Sequence, residues 1–167
     1  DVVGMKYASV LYGEMLKAHL PDAEYTFWYP SDNPEPPAGP EAYAGILWTG
    51  CNLTVYHDDN PSVARQLAYA RKAYEVGTPS FGTCWGLQIA AVAAGGEVKA
   101  NPKGREMGIA RKIRVTDAGS KHPMLAGKRA VYNAFISHLD EVTKLPEGAV
   151  LLSTNDFTGV QSLEIRH

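Results

Sequence analysis

Between Tyr7 and Leu20 the apolar residues Tyr7, Val10, Leu11, Met15, Leu16 and Leu20 recur mostly three and four positions apart. That spacing is one face of a helix, which Pro21-Asp22 ends. Glu24 to Tyr29 is aromatic and β-branched and predicts a strand, and the proline-rich stretch Ser31 to Pro40 predicts an exposed loop. Ala44 to Thr49 is a short apolar run closed by Gly50, the pattern of a strand buried on both faces. Helical spacing returns from Pro61 to Val76, with Arg and Glu on the opposite side, and stops at Gly77-Thr78-Pro79. Ser80-Phe81-Gly82 is long enough only for a very short strand, and Leu87 to Ala94 predicts a second apolar helix closed by Gly95-Gly96.

The middle of the chain thus alternates strand, helix, strand, helix with loops of a few residues, which predicts parallel strands joined by crossover helices. After Gly96 four short strand-like stretches follow: Ala110 to Val115, Ala130 to Ile136, Ala149 to Ser153 and Val160 to Ile165. The expected fold is a three-layer α/β sandwich with a mostly parallel central sheet. No internal repeat or change of composition marks a second domain, so residues 1–167 are expected to form one.

Composition narrows the partners. With 16 Lys and Arg against 18 Asp and Glu, the formal charge is −2 and offers no basic footprint for a nucleic acid. No apolar run reaches the ~18 residues that span a bilayer, and no leader precedes the first helix, so no membrane partner is expected and a cytoplasmic location is. The two cysteines, Cys51 and Cys84, are too few for a disulfide framework. Neither has a second Cys or His at ligand spacing, and no phosphate-cradling glycine loop is present, so no metal or other cofactor is expected.

Cys84 stands in Gly82-Thr83-Cys84-Trp85-Gly86, between an apolar strand and an apolar helix. A sharp turn there lifts the side chain above the end of the sheet, and the glycines two residues either side relieve crowding. The helix behind Cys84 is expected to lower its pKa, and the Trp85 backbone N–H is left free for a developing oxyanion. The plainer reading is a small buried hydrophobe, the usual fate of a free cysteine.

Together with Leu87, Gln88 and Gly95-Gly96, this segment resembles the nucleophile region of class I glutamine amidotransferases. Leu47-Trp48-Thr49-Gly50 resembles the oxyanion strand of that family, and Ser137-His138-Leu139-Asp140-Glu141-Val142 its Ser-His-x-Asp segment. Asn101-Pro102-Lys103-Gly104, Glu106, Gly108, Thr116 and His122-Pro123 are similar to stand-alone members that resemble the amidotransferase domain of GMP synthetase. The resemblance implies a flavodoxin-like fold and hydrolysis of the side-chain amide of L-glutamine through a Cys84 thioester, with ammonia passing to an acceptor such as a synthetase chain. It implies oxyanion contacts from Gly50 or Cys51 beside Trp85, and substrate binding by Gln88, Ser137 and His138. Cys51 departs from the family pattern, which has a second glycine there.

A cysteine nucleophile needs an imidazole base. The resemblance places that base in a His-Pro-Glu at the end of a later strand, which does not occur here, and the family begins with a strand where this chain starts in the loop or helix; the chain is therefore expected to lack its first strand and the strand carrying its base and carboxylate. His138 and His167 are the alternatives, while His19, His57 and His122 read as exposed or structural. Competing functions are a γ-glutamyl hydrolase, a cysteine-elbow hydrolase or redox protein of another family, and a catalytically inactive amidotransferase-like binding protein.

Overall fold

The computed structural model describes residues 7–166; Asp1 to Lys6 and His167, on which the expectations about both ends of the chain rest, lie outside them. Helix α1 is Ala8–His19. It is followed by strand β1, Ile46–Trp48, helix α2, Pro61–Val76, strand β2, Ser80–Gly82, and helix α3, Trp85–Ala93. Then come strands β3, Glu97–Ala100, and β4, Glu106–Val115, a single helical turn α4, Asp117–Ser120, and strands β5, Val131–His138, and β6, Asp140–Lys144. Strands β7, Val150–Thr154, and β8, Ser162–Glu164, end the described residues.

Helix α2 owes its limits to local chemistry. The Asn60 side chain caps it by accepting from the Ser62 N–H, Pro61 occupies its first turn, and Gly77 leaves it in the left-handed conformation at φ 75°. Its buried face, Val63, Gln66, Leu67, Ala70 and Ala73, packs on α3. There it joins Trp48, Trp85, Ile89, Val98 and Val142 in one core. At the centre the buried Trp85 Nε1 donates to Gln66 Oε1 at 3.0 Å, tying the two helices together.

The sheet departs from expectation. Strands β1 and β2 run parallel, Ile46 opposite Ser80 and Trp48 opposite Gly82. The other strand pairs among the described residues are antiparallel: β3 with β6, and a four-stranded sheet in the order β5-β4-β7-β8. A parallel pair needs a long crossover, and α2 supplies one. Beyond α3 consecutive strands pair antiparallel, β4 with β5 and, across the short link 155–161, β7 with β8, so the sheet is mostly antiparallel rather than mostly parallel.

Other expectations shift as well. Glu24 to Tyr29 forms no strand among the described residues; Tyr25 and Phe27 lie instead against Gly13 of α1, where a Cβ would come within 2.9 Å of the Phe27 ring. In β1 only Trp48 is buried, Ile46 and Leu47 being partly so. Leu11, Met15 and Leu20 of α1 stay substantially exposed. Strands β3 and β6 were not legible, because charged residues break their apolar pattern.

Candidate active site

Strand β2 passes straight into α3 through Thr83 and Cys84, and the turn is forced by close packing. A Cβ on Gly82 would lie 2.6 Å from the Gly86 carbonyl carbon, and one on Gly86 would lie 2.6 Å from Trp48 Cβ. Both positions therefore exclude a side chain. Cys84, the residue between them, takes φ 54° and ψ −106°, a conformation that L residues rarely adopt. The Thr83 N–H donates to the Trp48 carbonyl at 3.2 Å, locking the turn onto β1, and the Thr83 hydroxyl is hydrogen-bonded to that of Tyr12 on α1.

This turn sets Cys84 half-buried at one side of a cavity of about 740 Å³. Its thiol donates to the Ser137 carbonyl at 3.5 Å. The backbone N–H groups of Trp85 and Cys51 lie close enough to the sulfur to favour its thiolate. Gly50 stands beside the cysteine with room for a side chain: a Cβ there would lie 3.8 Å from Cys84 Cβ, an ordinary contact. The departure at Cys51 thus leaves its backbone N–H in place, while its side chain is exposed and accepts from the Leu53 N–H at 3.4 Å.

The expected lowering of the thiol pKa is not found. Burial pushes the Cys84 thiol up; the Trp85 and Cys51 N–H groups pull it back, and the nearby Cys51 thiol and Asp140 carboxylate add to the rise. Desolvation outweighs the two donors.

Gln88, Ser137 and His138 line the same cavity, together with Cys51, Leu87, Met107 and Phe135. Gln88 is buried and donates through Nε2 to the Asp140 carbonyl at 3.2 Å. The His138 ring has both nitrogens occupied: Nδ1 lies 2.9 Å from the Asp140 carbonyl oxygen and Nε2 3.3 Å from Glu106 Oε2. It makes no bond to Cys84. Sequence reasoning passed over the network behind it: Glu106 accepts from Asn155, Thr158 and Gln161, and the Asp140 carboxylate accepts from the Tyr56 hydroxyl at 3.0 Å. These partners are up to 84 residues apart in sequence, so no local pattern announces them.

The other histidines stand apart. His19 and His57 are exposed, and His122 caps the short turn Pro123–Leu125 by accepting from the Met124 N–H. Among the described residues no histidine bonds the Cys84 sulfur, no group of three His, Cys, Asp or Glu side chains could hold a metal ion, and no helix is long and apolar enough to cross a membrane.

A cysteine at a strained strand-to-helix turn, opening on a polar-lined cavity, is an arrangement suited to thiol chemistry on an α/β scaffold. The chain belongs to the family "Glutamine amidotransferase class-I", whose sequence profile matches residues 28–167, and within it resembles the GMP synthase domain. It is 43% identical over 129 residues to the gamma-glutamyl-L-1-hydroxyisopropylamide hydrolase of a Pseudomonas species, covering 75% of this chain and 43% of that protein. It is 34% identical over 116 residues to the glutamine-hydrolyzing GMP synthase of Symbiobacterium thermophilum, covering 70% of this chain and 21% of that one. The chain thus spans less than half the length of these curated relatives. A glutamine amidotransferase from Thermotoga maritima shares the fold at a TM-score of 0.77 and 18% identity, over 92% of this chain and 64% of that one.

Proposed function

We propose that the protein hydrolyses the side-chain amide of glutamine through a thioester on Cys84. The observation that carries this reading is Cys84 held at a strained strand-to-helix turn and opening on the cavity that Gln88, Ser137 and His138 line. In the reaction the thiolate attacks the amide carbon, and the carbonyl oxygen becomes an oxyanion beside the Trp85 and Cys51 N–H groups, Cys51 rather than Gly50 supplying the second one. Collapse of the intermediate expels ammonia, which takes up the thiol's proton, and leaves a γ-glutamyl thioester; water then cleaves the thioester, releasing glutamate and restoring the thiol.

Gln88, Ser137 and His138 hold the substrate's polar end in this scheme. Both His138 nitrogens face acceptors, so it is not the base; the base is assigned to a residue outside those described. Ammonia passes to an acceptor, a synthetase chain being the form suggested by the likeness to GMP synthase. The test is glutamate release from glutamine by the whole native polypeptide, with Cys84→Ala as control. Release from the native protein alone is expected, and equal rates would overturn the reading.

A second reading is hydrolysis of an N-substituted γ-glutamylamide. It is favoured by the 43% identity to the Pseudomonas hydrolase and by the exposed apolar Met107 and Phe135 at the cavity. Release of an alkylamine from such an amide faster than ammonia from glutamine would select it.

A further inference from the structure

Strand β5 lies at one edge of the four-stranded sheet, and among the described residues it pairs with β4 alone. The hydrogen bonds at its two ends say which of its backbone groups β4 uses. At one end the Ala130 carbonyl accepts from the Val115 N–H at 2.9 Å, so in the adjoining Arg114–Val131 pair the two residues turn their own N–H and C=O groups away from each other. At the other end the Ser137 carbonyl also points outward, where the Cys84 thiol donates to it. The two ends agree: the odd-numbered residues of β5 turn their backbone groups to the open side. Cys84 occupies that side at Ser137, which leaves Val131, Asn133 and Phe135 as the open stretch of the edge.

The side chains of that stretch share one exposed face. Phe135 is 93% exposed and Val131 50%, and Ile109, directly opposite Phe135 on β4, is 56% exposed. An edge of this kind receives a further strand unless charge, proline or a bulge blunts it. None does: Val131 to His138 contains no Lys, Arg, Asp, Glu or Pro, and the irregularity between Ala110 and Ile113 puts its extra residue in β4.

A second copy of β5, set antiparallel, fits this edge. Opposed residues of an antiparallel pair share a face, and outward-turned groups must meet outward-turned groups. One register meets both conditions for all three open residues of each strand: Asn133 faces Asn133 at a two-fold axis, and Val131 of each copy faces Phe135 of the other. It forms about six backbone hydrogen bonds. It also sets each Phe135 between Ile109 of its own β4 and the β-branched Val131 of the second copy, a cross-strand pairing that sheets favour. An axis at Phe135 instead would press the second copy against Ser137, where Cys84 already stands. Charge agrees with the direction. Strand β5 enters behind Lys128-Arg129 and leaves into Asp140-Glu141, so antiparallel pairing carries each basic end toward the other copy's acidic end.

We propose that the open edge of β5 is a self-association surface, through which two copies join their four-stranded sheets across a two-fold axis at Asn133. So short a seam buries less than the about 1,200 Å² of a standard interface, so a reversible dimer is expected, populated at about 100 μM of the whole polypeptide. Sedimentation velocity over a concentration series up to that value reads it. Phe135→Lys and Val131→Lys, both at exposed positions, are each expected to weaken the dimer at least about tenfold with unchanged circular dichroism. Cross-linking reads the register, in a background of Cys51→Ser and Cys84→Ser. Asn133→Cys is expected to give a disulfide-linked dimer under mild oxidation, its two Cα atoms lying about 5.5 Å apart across the axis. Phe135→Cys is expected to stay unlinked, because its two copies lie about 14 Å apart along the strands. A monomer at the highest concentration, which an edge covered by another segment of the polypeptide would also give, overturns the proposal. So does a dimer that both lysine variants leave unchanged, or one in which Phe135→Cys links as readily as Asn133→Cys. Should Asn133→Cys fail to fold for want of the bond its side chain accepts from the Lys112 N–H, the lysine variants still decide.

Discussion

Replacing Cys84 by glycine is expected to stabilise the protein relative to replacing it by alanine. Both changes delete the sulfur and its bond to the Ser137 carbonyl, so they differ only in what the backbone at φ 54°, ψ −106° costs. A side chain held in such a sparsely populated region costs about 1–3 kcal/mol, and glycine is free of that cost. Against this stands the larger entropy of glycine in the unfolded chain, about 0.5–1 kcal/mol. The balance favours Cys84→Gly over Cys84→Ala by roughly 1 kcal/mol, or about 2–4 °C in Tm for a chain of this size. Urea denaturation of the two variants side by side measures it, with equal m-values required for the comparison. An alanine variant as stable as the glycine one would refute the claim that this turn stores strain.

The packing around the same turn makes a converse prediction. Gly86→Ala places a Cβ 2.6 Å from Trp48 Cβ and 2.7 Å from the Trp48 carbonyl oxygen, and is expected to lower stability by about 1–3 kcal/mol in the same denaturation assay. Trp85→Phe strands the buried Gln66 Oε1 that now accepts at 3.0 Å, a loss of about 1–3 kcal/mol in the unfolding free energy. Removing the helix cap with Asn60→Ala is expected to cost about 1 kcal/mol, read as a lower Tm without change in spectroscopic signature. Because burial raises the Cys84 pKa above its ordinary value of 9.0, alkylation of the thiol should reach half its limiting rate only above that pH. The sign for stability follows: the folded state holds the proton longer, so stability is full below the ordinary thiol pKa and is lost as pH rises through the raised one. Unfolding of the wild type against Cys84→Ala across alkaline pH checks this, and a gap that widens in the wild type's favour would contradict it.

Local signals carried well where the physics is local. The Pro61 to Val76 helix is marked by its apolar spacing and the glycine that ends it, and the observed helix has those limits. The two glycines flanking Cys84 announced a turn with no room for side chains, and the measured clearances show why. Strand partners were another matter. Glu24 to Tyr29 carries the residues of a strand, yet pairing depends on a neighbour that the segment itself does not encode. Strand β6, Asp140–Lys144, holds three charged residues in five and became a strand because β3 was there to receive it. The direction of the sheet followed the same logic: the apolar runs after Gly96 say that strands exist, but β4 and β5 run antiparallel although the link between them is long enough for a crossover.

By itself the amino-acid sequence determined the family, the elbow and the residue at its apex, because these depend on neighbours within a few positions along the chain. Tertiary structure alone decided the chemistry around that residue. It set the Cys51 N–H against the Cys84 sulfur, buried the thiol far enough to raise its pKa, and placed both nitrogens of His138 against acceptors. Each of these is an electrostatic balance set by groups from separate strands and loops at distances of about 3 Å. A one-dimensional pattern can name the participants in such a balance, but their protonation and their partners are properties of the packed site.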